Sequence, residues 1–209
     1  IMADRYALVV DSTNNNIKEI PAADRLVADN LLLSGTTPTL TIGDAGAEDT
    51  KIVFDGNAQD FYIGLDDSAD DLVIGLGSAV GTTPAIHIDE NQVVKFDAGI
   101  QEESTALTSG TTVALDVNLG TVFTLTLAHN LGTFNWTNPA ASGYASSFIL
   151  KVKQDGTGSR TISWPAAVDW AAGTAPTIST GANAVDVFAF FTVDGGTIWY
   201  GFTPGIGMA

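Results

Sequence analysis

The chain reads as all-β: an N-terminal β-meander or fibre-like β-module followed by a C-terminal antiparallel β-sandwich of jelly-roll-like type. Three observations predict this. Gly, Thr, Asn and β-branched residues dominate, and these favour strands or compete with helical backbone bonding. Short apolar bursts recur about every 8 to 12 residues between turn clusters of Gly, Asp, Asn and Ser, the spacing of consecutive strands. Later segments alternate apolar and polar residues with the period of two that a half-buried strand requires.

Taken in order, residues 1–37 form an N-terminal attachment segment containing one helix candidate, 21–30 (PAADRLVADN), with Pro21 at a plausible first-turn position. An extended stretch is the alternative there. Residues 38–97 form an acidic β-meander module whose bursts fall at 51–54, 61–65, 72–76, 85–88 and 93–96. Two IGL triplets, Ile63 to Leu65 and Ile74 to Leu76, predict adjacent hairpin strands; a long solenoid needs more copies. Residues 98–110 (AGIQEESTALTSG) are small and polar and read as a linker.

Residues 111–209 form the C-terminal sandwich. Phe123, Leu125 and Leu127 share one strand face, and Phe148, Leu150 and Val152 share another. The segment 185–193 is apolar on both sides, with Val185, Val187, Ala189, Phe191 and Val193 opposite Phe188 and Phe190. A sandwich covers only the inner face of each sheet, so the second face needs a loop, another module or a neighbouring subunit; with a subunit as the first choice, Phe188 and Phe190 are candidate subunit-interface residues. The glycines of DGGT, 194–197, suit the positive φ angles of a hairpin turn.

Composition sets further bounds. With 24 acidic and 8 basic residues the formal net charge is -16, which repels phosphate backbones and argues against nucleic acid as a partner. The acidity is uneven: residues 1–105 hold 19 acidic and 5 basic residues, and residues 106–209 hold 5 and 3. Hydrophobic residues make up 45% and charged residues 15%, an apolar balance that predicts burial between subunits. There are no cysteines, so packing supplies the stability. No uninterrupted apolar run approaches the roughly 18 to 20 residues of a membrane helix, and no membrane insertion is expected. The start, IMADRYALVVDS, does not read as a secretory signal, and Ile1 precedes Met2.

Candidate chemistry is sparse. Asp66, Asp67, Asp70 and Asp71, and the DGNAQD stretch at 55–60, offer carboxylates without the spacing of a calcium loop; they read as solvated turns. His87 and His129 are the only histidines, neither lies in a nucleophile motif, and both read as structural. No catalytic, metal or cofactor residue is predicted. Aromatics can stack on sugar rings through a flat apolar face. Trp164 and Trp199 read as core, whereas Trp136 and Trp170, beside turn residues, are the candidate surface-recognition pair. GTGS, 156–159, is too short for a phosphate loop and reads as a turn.

The stretches LTIGDAGAEDTKIVFDG, DFYIGLDDSADDLVIGLGS, TTPAIHIDENQVVKF, LKVKQDGTGSRTISWP, WAAGTAPTIS and VDGGTIWYGF resemble bacteriophage tail-fibre and related virion appendage structural proteins. The resemblance implies a β-rich, trimeric virion component, assembled in the host cytoplasm. It implies a non-enzymatic short tail fibre or fibre tip that attaches to the host surface as a homotrimer. The partners are then other virion proteins, bound through the N-terminal segment, and a host surface glycan. A capsid decoration, cementing or head-fibre protein is the alternative. A polysaccharide depolymerase is the weaker one, because a spike with a carbohydrate-cleaving groove is far longer.

Overall fold

The computed structural model describes residues 8–11, 16–19 and 30–208. The expected helix at 21–30 lies outside the described residues, save Asn30. Strands β1 (Leu8–Asp11) and β2 (Asn16–Glu19) pair antiparallel. The fold is all-β, as expected, and the chain divides between Ala98 and Gly99 into two compact units.

The first unit is a five-stranded meander in sequence order: β3 (Thr50–Phe54), β4 (Phe61–Asp66), β5 (Asp71–Leu76), β6 (Pro84–Ile88) and β7 (Val94–Phe96). All its neighbours are antiparallel. The IGL triplets face each other across the β4–β5 hairpin, with Ile63 opposite Ile74 and Leu65 opposite Leu72. Period two then sends Tyr62, Gly64, Val73 and Gly75 to one side and the larger aliphatics to the other. The first side is sealed. Tyr62 lies flat over Gly75, where an added Cβ would sit 2.5 Å from the Tyr62 hydroxyl oxygen. That oxygen accepts a hydrogen bond from the Gly81 amide at 3.1 Å, which draws the β5–β6 loop over the sheet.

The opposite side of this sheet is open. Its side chains stand in three cross-strand rows: Phe54, Phe61 and Leu76; Ile52, Ile63, Ile74, Ile86 and Phe96; and Thr50, Leu65, Leu72, Ile88 and Val94. All except the half-buried Thr50 and Ile86 are 37% to 55% exposed.

The second unit has two layers. A six-stranded sheet runs in the order β13 (Val168–Trp170), β15 (Trp199–Met208), β14 (Val185–Thr192), β12 (Ser146–Gln154), β10 (Val122–Leu127), β8 (Ser104–Leu107). A two-stranded sheet of β9 (Thr112–Asp116) and β11 (Thr133–Thr137) carries Val113, Leu115 and Phe134 into the same core. The layering agrees with a sandwich-like arrangement, but the pairing is mixed. Strands β12, β14 and β15 are antiparallel, whereas β8, β10 and β12 run parallel, as do β9 with β11 and β13 with β15. The reason is the path: from β8 to β12 the chain steps alternately between the two layers, so strands that return to a layer point the same way. Strand β8 lies inside the stretch expected to be a linker; Thr105 and Leu107 are half-buried, and four residues are too few for that alternation to stand out beside Glu102, Glu103 and Ser104.

The core of this unit is aromatic. All four tryptophans join Phe123, Phe134, Phe148, Phe188 and Phe190 in one connected set of rings, with Trp136 and Phe190 centred 4.6 Å apart. Mostly edge-to-face pairs such as these add roughly 0.5–1.5 kcal/mol each beyond burial.

Candidate functional site

The residues expected to form a recognition surface are inside. Trp170 is 8% exposed because its strand partner is Gly201, and a Cβ on Gly201 would sit 2.8 Å from the indole ring. The missing side chain lets Trp170 lie down on β15 and reach Trp164 and Phe190 at 5.2 and 5.5 Å. Trp136 points from β11 into the six-stranded sheet, against Phe148 and Trp199; its buried indole nitrogen has no hydrogen-bond partner among the described residues. Neither tryptophan is the exposed platform the sequence reading expected.

Phe188 and Phe190 need the same correction. They are 0% and 2% exposed within this one chain, so they are core residues and not interface residues. Their polar neighbours obscured this, since Asp186 and Thr192 share their face. Both polar groups are buried and satisfied there: Asp186 accepts from the Ser179 amide and hydroxyl at 2.7 Å each and from the Gly207 amide at 2.8 Å. The Thr192 hydroxyl donates to Asp194 at 2.8 Å. A buried polar group that is fully bonded belongs to a core as much as an apolar one does.

The open side of β14 and β15 is therefore the other one. Phe191 and Tyr200 are cross-strand partners with ring centroids 5.1 Å apart, and Phe202 lies 6.0 Å from Phe191 at an interplanar angle of 13°. All three are exposed. Beside them lies a recess of about 390 Å³, lined by Asp169 to Gly173 and Tyr200 to Phe202. Ala172 and Gly173 bend its wall with φ of 57° and 67°. Exposed ring surface, the Asp169 carboxylate and the Tyr200 hydroxyl together offer an apolar bed with hydrogen-bonding groups at its margin. The volume falls in the range of about 300–1,000 Å³ typical of small-ligand sites. Alternation through β14 and β15 was legible in the sequence; which face the sheet would leave open was not.

Turn carboxylates organise the surrounding loops. Asp194 stays below its ordinary carboxylate range chiefly because it accepts the Ile198 amide, with Thr192 second. Asp155 is lowered chiefly by Arg160, whose guanidinium donates to it at 2.8 and 3.0 Å, and next by the Gly158 amide. In the first unit, Asp89 is lowered chiefly by the Val93 amide, as the turn between β6 and β7 closes on its carboxylate.

The expected acidic cluster does not converge on one point. Asp71 is buried and bonds His87 Nδ1 at 2.9 Å, Asp66 accepts from the Ser68 hydroxyl, and Asp70 takes a turn φ of 56°. His87 Nε2 meets Asp97 at 2.6 Å, so this histidine ties β5, β6 and the end of β7 together. His129 Nδ1 lies 3.3 Å from the Ser109 hydroxyl.

Comparison with known families finds a match, over residues 107–197, to a model described as "Putative phage tail fibre C-terminal domain". The matched span begins at the last residue of β8 and ends in the turn after β14. It agrees with the resemblance to phage tail-fibre proteins and supports a virion structural role of tail-fibre type. Neither the curated proteins nor the solved structures compared include a match.

Proposed function

We propose, on the premise of a phage tail-fibre C-terminal domain in residues 107–197, that the chain is a non-enzymatic short tail fibre or fibre tip. It attaches the virion to the host surface as a homotrimer. The observation that supports attachment most directly is the exposed strip of Phe191, Tyr200 and Phe202 beside the Asp169 recess. Such a strip can stack on the C–H face of a sugar ring while Asp169 and the Tyr200 hydroxyl accept or donate to its hydroxyls. A host surface glycan is the ligand of that chemistry. Three copies on one fibre convert weak single contacts into firm attachment through effective concentration. The N-terminal segment would hold the particle.

Binding of the full chain to purified host surface polysaccharide, followed by tryptophan fluorescence because Trp170 lines the recess, tests this reading. The wild type is expected to saturate, and Tyr200→Ala with Phe202→Ala to lose most of the binding. Equal binding by both proteins removes the strip from the account, and shortening of the polysaccharide on incubation removes the non-enzymatic reading. Labelled copies on the tail are expected in particle images; labels confined to the head would favour decoration of the capsid.

A further inference from the structure

We propose that the open side of the β3–β7 sheet is a self-association face, buried against the same face of other copies of this chain. Apart from Thr50, at the β3 end of the third row, the three cross-strand rows contain no charged or polar side chain over five strands. Charge collects at the strand ends instead, in loop residues such as Asp55, Asp67 and Glu90. An apolar centre with a charged rim is the anatomy of a subunit interface.

The area decides between an ordinary surface and an interface. At the observed exposures the rows present on the order of 1,000 Å², whereas the largest apolar patch on a typical monomer is about 300–600 Å² and a stable interface takes about 800 Å² from each partner. A partner must be nearly as flat and as apolar over the same span. The identical sheet of another copy meets both conditions, and sheets stack face to face at about 10 Å with their side chains interleaved. Sealing the opposite side with Tyr62 and the β5–β6 loop leaves this side as the one available for stacking. The assignment deepens the homotrimer reading and takes from it only the number of copies.

Sedimentation of the full chain tests the face. The wild type is expected at a multiple of 21.7 kDa, and the double variant Ile63→Glu, Ile74→Glu at a single copy with its strand signal retained. A wild-type trimer whose double variant is still a trimer overturns the face and leaves the homotrimer reading standing. A wild-type dimer that the variant dissociates supports the face and overturns the count of three. A wild type at one copy overturns both, as it would if another protein or the chain's own residues covered the rows. Should the double variant fail to fold, Ile74→Cys answers the same question in a chain without natural cysteines. Its thiol is expected to react about tenfold or more slowly than that of Asn91→Cys, on the β6–β7 turn, because assembly shields it. Equal rates overturn the proposal.

Discussion

In the first unit the bulky side chains of the β4–β5 hairpin, Ile63, Leu65, Leu72 and Ile74, stand on the open side, and the sealed side is built from Tyr62, Val73 and glycines. The second unit does the reverse, enclosing Phe123, Phe148, Phe188 and Phe190 with all four tryptophans between two layers. The contrast follows from layer number. One sheet with a loop folded over it has room for a lone ring, Tyr62, laid over a glycine, whereas two layers make room for a cluster of rings. A unit with a sealed ring core holds itself together, and a unit with its largest residues outside gains most of its burial only on meeting another surface.

The largest expected effect sits in the ring core. Phe190→Ala should cost about 3–5 kcal/mol in denaturant unfolding, while Ile74→Ala in a dilute, single-copy chain should stay within about 0.5–1 kcal/mol. Similar costs at both sites would erase the contrast. Next, Asp186→Ala strands the Ser179 and Gly207 amides and should cost roughly 2–3 kcal/mol; a smaller loss would mean that water replaces the carboxylate.

The sealed side of the first unit is probed by Gly75→Ala, whose Cβ would meet the Tyr62 ring and the Thr83 carbonyl at 2.5–2.7 Å. A loss of about 1–3 kcal/mol is expected from overpacking, read as a lower melting temperature. A neutral outcome would show that the β5–β6 loop yields easily.

The smallest effect is electrostatic. Asp155 and Asp194 are lowered from the ordinary value of 3.8, so the unfolded chain takes up protons on these groups before the folded chain does. Their contribution is complete above about pH 4 and disappears as pH falls through the lowered values. Asp194→Asn should flatten that part of the acid limb in a pH series of unfolding curves; an unchanged slope would assign the limb to other carboxylates.

Much of the first unit was legible from residues alone. Turn clusters bracket each burst, and the IGL triplets predicted the hairpin in which Ile63 now faces Ile74. The faces of β10 and β12 were legible for the same reason, since Phe123, Leu125, Phe148 and Leu150 alternate with residues that cannot all be buried. The candidate site was not. Trp170 looked exposed beside a turn because nothing local reveals that Gly201, far along the chain, would be its strand partner. Phe190 looked like an interface residue because Asp186 shares its face, and only Ser179 and Gly207 make that carboxylate a core group.

By itself, then, the sequence determined strand positions, the alternation within each strand and the all-β class, because these rest on backbone sterics and on neighbours one or two residues apart. Tertiary structure decided the rest: the parallel pairing that comes from stepping between layers, and the choice of covered side in each sheet. A strand with apolar residues on both sides specifies two faces equally well, and which of them meets water depends on what packs there from elsewhere in the chain.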